Sequence, residues 1–265
     1  MSKLHLDRAL LELCIDDPAG LAAAAAGGAD RVELCSALSV GGLTPSAGFV
    51  RQAKESGIPA VAMIRPRAGG FMFTDDEIEL MLKDIAYVRE VGLSGVVLGV
   101  AKPDGTLDVE NLKRLLDAAG PLETCLHRVF DLTPDPFAAV DTAVELGFNR
   151  ILTAGQKASV PEGLDLLVEL GRYAGDRISI MPGGGITLGN VGAVIRSIGI
   201  SEIHTSCSSI RPQAPEPVVR FGFAPGGPRK VVDPEAVGKM RRMLAAIAAP
   251  DPVMADEVSV EGSAS

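Results

Sequence analysis

The sequence predicts a (β/α)8 barrel forming one domain over residues 9–249. Three observations carry the prediction. Short apolar runs alternate with helical patterns along most of the chain, in eight units. Several helical patterns stop alike, at a glycine followed by a short turn into the next apolar run: Gly28-Ala-Asp-Arg31, Gly92-Leu-Ser94 and Gly147-Phe-Asn-Arg150. A chain of 265 residues, 47% hydrophobic and 22% charged, also suits one large α/β domain. A doubly wound open sheet is the alternative.

Ala9–Ile15 reads as the first strand, and Asp17-Pro18 starts a helix over Ala19–Ala26 that Gly27-Gly28 stops. The second strand, Arg31–Ser36, leads through Gly41-Gly42 to a helix from Ser46 to Ser56. Ala60–Pro66 is the third strand. Thr74 with Glu77 forms a capping box for the long helix that ends before Gly92. Gly95–Val100 is followed by a helix over Val109–Ala119, and Thr124–Phe130 by one over Phe137–Leu146. Arg150–Ala154 precedes the helical pattern Pro161–Tyr173, and Arg177–Met181 precedes Asn190–Ser197. Glu202–Cys207 is the eighth strand. The Pro/Gly-rich stretch 208–232 reads as a loop insertion, Asp233–Ala248 as the last barrel helix and 250–265 as a disordered tail.

Composition excludes some functions. The net charge is −9 and aromatics are 4% of the chain, whereas a nucleic-acid binder needs a basic, aromatic-studded face. No apolar run is long enough to span a bilayer, and the charged N-terminus is no signal peptide, so a cytoplasmic protein is expected. Its four cysteines should be free thiols there. No dinucleotide fingerprint is visible, and no nucleotide cofactor is expected.

Leu11-Glu-Leu-Cys14 is nearly repeated as Val32-Glu-Leu-Cys35. Residues two apart on a strand share a face, so Glu12 goes with Cys14 and Glu33 with Cys35. If the strands are adjacent and equivalent, the thiols lie about 5 Å apart. In a barrel, chemistry collects at the C-terminal strand ends. Those ends supply Glu12 and Glu33 as candidate bases, and Arg65 as a buried partner for Glu33 or for a substrate anion. His127, with Asp131 on the same strand parity, and His204 are candidate acids. The amides of Gly183, Gly184 and Gly185 form a candidate anion loop. Plainer readings compete: a strand cysteine is often a small buried hydrophobe, a strand histidine a satisfied core residue, and a triple glycine a tight turn.

Taken together, Leu11-Glu-Leu-Cys14, Gly27-Gly-Ala-Asp-Arg-Val-Glu-Leu-Cys-Ser36, Gly41-Gly-Leu-Thr-Pro-Ser46, Met63-Ile-Arg-Pro-Arg67, His127-Arg128 and Ile180-Met-Pro-Gly-Gly-Gly185 resemble the copper homeostasis protein CutC family. The resemblance covers roughly residues 9 to 208. It implies a TIM barrel, a cytoplasmic homodimer and a role in copper handling through two strand-end cysteines, which map to Cys14 and Cys35. Copper(I) is soft and takes thiolates. The rim acids, histidines and arginine point elsewhere, to a lyase or isomerase acting on a small sugar-like or anionic compound. A non-catalytic dimeric scaffold would leave the polar rim without a purpose.

Overall fold

The eight apolar runs pair side by side as one parallel sheet in the computed structural model, which describes residues 8–199 and 201–248. The strands are β1 (Leu10–Ile15), β2 (Arg31–Leu34), β3 (Ala60–Met63), β4 (Gly95–Leu98), β5 (Glu123–Leu126), β6 (Arg150–Thr153), β7 (Ser179–Pro182) and β8 (Glu202–Thr205). Their order is β7-β6-β5-β4-β3-β2-β1-β8, and a parallel bridge between Gly183 and His204 joins the two ends. The result is the expected (β/α)8 barrel.

Seven helices form its outer layer between strands: α1 (Pro18–Gly27), α2 (Ala47–Ser56), α3 (Asp75–Val91), α4 (Val109–Ala119), α5 (Pro136–Leu146), α6 (Leu164–Ala174) and α7 (Val191–Ile198). Local chemistry sets their ends. The Asp17 side chain accepts from the Gly20 amide and Pro18 pre-sets the first turn of α1, while Gly28 closes that helix at φ 80°. The Thr74–Glu77 capping box opens α3 with both of its hydrogen bonds present. None of the described helices is long and apolar enough to cross a membrane.

Alternation along each strand splits the interior in two. Leu11, Leu13 and Ile15 of β1 join Val32 and Leu34 of β2 in the large core against the helices. The other parity faces the barrel axis, where Cys35, Val61, Met63, Val97, Cys125, Leu152 and Met181 form a separate inner cluster.

Three expectations are corrected. Six of the eight strands end earlier than the apolar runs suggest, while β1 ends as expected and β7 one residue later. The largest difference is β5, which stops at Leu126 instead of Phe130. There the His127 ring accepts the Val129 amide at 3.2 Å and turns Arg128–Leu132 into a 3-10 helix. Second, the two Glu-x-Cys segments are not level. The parallel register sets Glu12 opposite Arg31 and Cys14 opposite Glu33, so Cys35 lies two residues further along the barrel than Cys14. Third, the insertion is not all loop. Ser208–Arg211 (β9) and Arg229–Val232 (β10) pair as an antiparallel ribbon enclosing a short helix, α8 (Glu216–Arg220). Ile210 in β9 and Val231 and Val232 in β10 supply the β-branched residues, and the prolines and glycines lie between the strands. Pro234–Ala248 (α9) then packs against α1. The predicted tail, 250–265, lies outside the described residues.

Candidate functional site

A cavity of about 800 Å3 opens at the C-terminal strand ends, and Cys14, Glu33, Arg65, His127, Gly183, Gly184, Gly185 and His204 all line it. Its floor is a chain of buried charges. Glu12 and Arg31 stand opposite each other on β1 and β2 and are directly paired. Glu12 Oε1 accepts from His204 Nδ1 at 2.7 Å, and His204 Nε2 lies 3.7 Å from Glu33 Oε2. Gly183 permits this placement of His204, since a Cβ there would meet the His204 Cβ at 3.0 Å.

The environments of the two glutamates diverge. Burial alone would raise Glu12, but the Arg31 guanidinium and the His204 ring overcome it and hold the carboxyl at about 2. Glu33 is buried as deeply, and its burial, which outweighs the nearby His204 and Arg31 charges and is reinforced by the Glu12 charge, raises it above the ordinary carboxyl value. Burial would lower His204, yet the negative charge of Glu33 lifts it well above the ordinary histidine value. His204 and Glu33 thus compete for one proton across 3.7 Å.

The opposite wall carries donors. His127 is 3% exposed, and since its Nδ1 accepts the Val129 amide, the ring hydrogen sits on Nε2. Burial, helped by the Arg65 charge, lowers its pKa to about 3, so the ring is neutral. Gly99 makes room for it, because a Cβ there would lie 2.6 Å from His127 Cε1. Phe71 packs on the ring at 4.8 Å between centroids and is itself 4.8 Å from the Arg65 guanidinium carbon. Arg65 does not pair with Glu33, contrary to expectation. Its Nη1 donates to the Val40 and Gly42 carbonyls at 2.9 and 3.0 Å, and its Nη2 to Gly69 at 2.7 Å. The reason is that the chain between Val40 and Gly42 folds back over the end of β3 and presents these carbonyls first.

Among the described residues, three buried polar atoms of cavity-lining side chains have no partner: Glu33 Oε1, Arg65 Nε and His127 Nε2. Unsatisfied buried polar atoms are costly and uncommon, and here an acceptor and two donors belong to three residues that line one cavity.

Other expected residues fall differently. Asp131 is not among the residues around the cavity. Its carboxylate holds Arg128 Nε at 2.7 Å, the Thr153 hydroxyl and the amides of Ala154 and Gln156. Because β5 ends early, the strand parity that grouped it with His127 no longer applies. Cys14 is half-buried on the cavity wall. Cys35 is fully buried and donates weakly to Glu33 Oε2 at 3.5 Å. Burial and the Glu33 charge push the Cys35 thiol well up. Glu12, Glu33 and His204 offer three ligand atoms within 4.8 Å of one another, though Arg31 already occupies Glu12 as its counter-cation.

Sequence reasoning missed Arg31, Glu202, Arg150 and Arg128. Arg31 bridges Glu12 and Glu202, and Arg150 joins Glu202 to Glu123. The signal was available. Arginine follows the same glycine turn at the start of β2 and of β6, a cation opening each of two largely buried strands.

Comparison with known proteins agrees with the fold and the motifs. The CutC family profile matches residues 9–209. A CutC protein of Sinorhizobium medicae is 48% identical over 244 residues, covering 92% of this chain and 99% of that protein. One of Agrobacterium fabrum is 49% identical over 238 residues, covering 89% and 94%. The crystal structure of CutC from Streptococcus agalactiae superposes with a TM-score of 0.71 at 35% identity, covering 75% of this chain and 98% of that one. The chain belongs to the CutC family.

Proposed function

We propose that the protein is a proton-transfer enzyme, of isomerase or lyase type, acting on a small oxygenated compound. The observation that carries this is the set of unpartnered buried atoms around the cavity, Glu33 Oε1, Arg65 Nε and His127 Nε2. A carboxyl without a partner, its basicity raised by burial, is suited to take a proton from carbon. A neutral imidazole N–H and a guanidinium N–H opposite it are suited to hold a carbonyl oxygen as negative charge develops there.

The steps balance without a further reactant. Glu33 removes the proton from the carbon beside a carbonyl, and the electron pair of that C–H bond moves onto the carbonyl oxygen. His127 Nε2–H and Arg65 Nε–H stabilise the resulting enolate. In an α-hydroxy carbonyl compound the hydroxyl proton passes to the enolate oxygen as the first proton returns from Glu33 to the former carbonyl carbon, giving an isomer; in elimination the enolate re-forms the carbonyl, its electron pair expels a β-oxygen, and that oxygen takes the proton from Glu33. His204 neutralises Glu33 between turnovers, and the Arg31–Glu12 pair keeps the imidazole ring oriented.

The test is deuterium uptake from D2O by hydroxy aldehydes, ketoses and hydroxy acids, followed by proton NMR. The wild type is expected to exchange at least one of them, and Glu33→Gln or His127→Ala to slow that exchange by about 10²- to 10⁴-fold. No exchange by the wild type, or equal exchange by Glu33→Gln, defeats the reading.

A second reading is copper handling, because the Streptococcus agalactiae relative is provisionally described as a copper homeostasis protein. Here copper(I) would be cargo. The residues fit a preformed dithiolate site poorly: Cys14 stands level with Glu33, not with Cys35, and the Cys35 thiol keeps its proton. Anaerobic Cu(I) titration of the wild type, Cys14→Ser and Cys35→Ser decides it, and equal affinity in all three removes the thiol site. A cytoplasmic homodimer belongs to the same proposal, with light scattering as its check.

A further inference from the structure

The far wall of the cavity is left unused by this chemistry. It consists of the loop after β7, the first residue after β8, and Arg128. Arg128 is fixed on two sides. Its Nε donates to Asp131 at 2.7 Å and its Nη2 to the Lys157 carbonyl at 2.7 Å, while its Nη1 has no partner among the described residues. That free nitrogen sits 3.1 Å from where a Gly184 Cβ would be, so only glycine lets the guanidinium lie on the loop. Gly184 and Gly185 both have positive φ, 106° and 76°, which turns the backbone out of the sheet and frees successive amides. Among the described residues the amides of Gly185, Ile186 and Ser206 donate to no protein acceptor. The Thr205 hydroxyl holds the Ile186 carbonyl at 3.0 Å and so ties the two loops into one rigid rim.

We infer that this rim is a phosphate subsite, and that the substrate of the proton-transfer reaction is a short phosphomonoester whose phosphate is held by Arg128 Nη1 and the amides of Gly185, Ile186 and Ser206. The inference rests on the proton-transfer reading of the same cavity. Several N–H donors from two loops and a guanidinium match a tetrahedral dianion better than a planar carboxylate. The local charge matters because the chain carries a net charge of −9. Arg128, Arg65 and Lys230, all of which line the cavity, draw a dianion to this end.

The spacing supports one compound reaching both ends. The missing Cβ of Gly183 lies 3.0 Å from His204, and that of the next residue, Gly184, 3.1 Å from Arg128. One peptide unit, about 4 Å, therefore separates the wall behind the proton-transfer residues from the wall behind the anion. Arg65 and His127 line the same cavity, and the N–H groups of Arg65 Nε and His127 Nε2 have no acceptor among the described residues. Asp131 acquires a role here as a positioning residue. It touches no ligand, but it aligns Arg128 while Thr153, Ala154 and Gln156 hold its own carboxylate in place.

The test is calorimetric titration with inorganic phosphate at constant ionic strength. The wild type should saturate at one site. Arg128→Gln should weaken binding roughly tenfold or more, with Arg128→Lys recovering part of the loss. Asp131→Asn should weaken phosphate binding in the wild-type background and add nothing in the Arg128→Gln background, which a purely structural role would not produce. Failure to saturate, equal affinity in Arg128→Gln, or acetate displacing phosphate at equal concentration overturns the assignment. Glu33→Gln separates the two readings, since it should leave phosphate affinity within about twofold of wild type while slowing deuterium exchange by about 10²-fold or more. Phosphate binding with no exchange on any compound defeats the proton-transfer reading alone. Exchange on unphosphorylated compounds with no phosphate binding defeats this inference alone.

Discussion

Glu12 and Glu33 occupy the same place in two nearly identical tetrapeptides, Leu11-Glu-Leu-Cys14 and Val32-Glu-Leu-Cys35, and are 1% and 3% exposed. Their surroundings are opposite. Both oxygens of Glu12 are taken, one by Arg31 and one by His204. Glu33 has one oxygen without any partner and the other 3.5 Å from a thiol and 3.7 Å from His204. The cause is the register: a two-residue offset between β1 and β2 puts Arg31 beside Glu12 and leaves Glu33 beside Cys14. The same residue type, equally buried, is thus a structural ion in one strand and an open functional group in the next. Burial does not distinguish the two; partner accounting does.

Glu12→Gln should break this difference most visibly. Removing one member of a buried ion pair leaves Arg31 and His204 undercompensated, at a cost of about 3 kcal/mol in urea unfolding at pH 7. The pH dependence carries the same information. The unfolded Glu12 carboxyl titrates near 4.5 and the folded one at about 2. Its stabilisation is therefore fully present above pH 4.5 and drains away as pH falls toward 2, in total on the order of 3 kcal/mol. His127 adds a loss of the same sign, because its folded pKa is about 3 against an ordinary 6.5. Unfolding curves at pH 6 and pH 3 should show the wild type losing much more stability than Glu12→Gln. Equal losses would mean that Glu12 is not held as described.

Glu33→Gln should do the opposite. Its carboxyl is raised in the folded state, so its ionisation costs stability as pH rises above the unfolded value. The amide should leave stability unchanged or raise it by up to about 1 kcal/mol at pH 7, with the gain gone near pH 4, while exchange slows by about 10²-fold or more. A clear destabilisation at pH 7 would put Glu33 with Glu12 among the structural ions.

Much of this architecture can be read directly from the chain. The glycine turns, the Pro18 and Thr74–Glu77 caps and the alternating runs place the barrel elements, and of the residues picked at the strand ends Glu33, His127 and His204 line the cavity. What could not be read depends on distance between strands. Register is a property of barrel closure, and no local pattern encodes that Cys14 faces Glu33 and not Cys35. His127 and Asp131 look like one strand face until a ring-to-backbone hydrogen bond ends β5. Arg65 reads as the partner of Glu33, but the chain from Val40 to Gly42 offers carbonyls closer to hand. Arg31 and Arg150 were legible in principle, as cations opening largely buried strands.

The smallest expected effect addresses the other member of the second motif. Cys35 lies in the inner cluster with Met63, Cys125 and Met181, and its contact with Glu33 is a weak thiol donor at 3.5 Å. Cys35→Ala removes one small buried group, and Gly42, whose missing Cβ would lie 2.9 Å from the sulfur, packs over the gap. The loss of stability should be about 1 kcal/mol by urea unfolding. A thiol that keeps its proton supplies little to a neighbouring base, so the deuterium-exchange rate should stay within about threefold of wild type. A drop of a hundredfold in exchange, with stability changed no more than this, would transfer the chemistry from Glu33 to the thiol. The two glutamates would then differ only in how well they are paired, and the functional member of the second motif would be its cysteine.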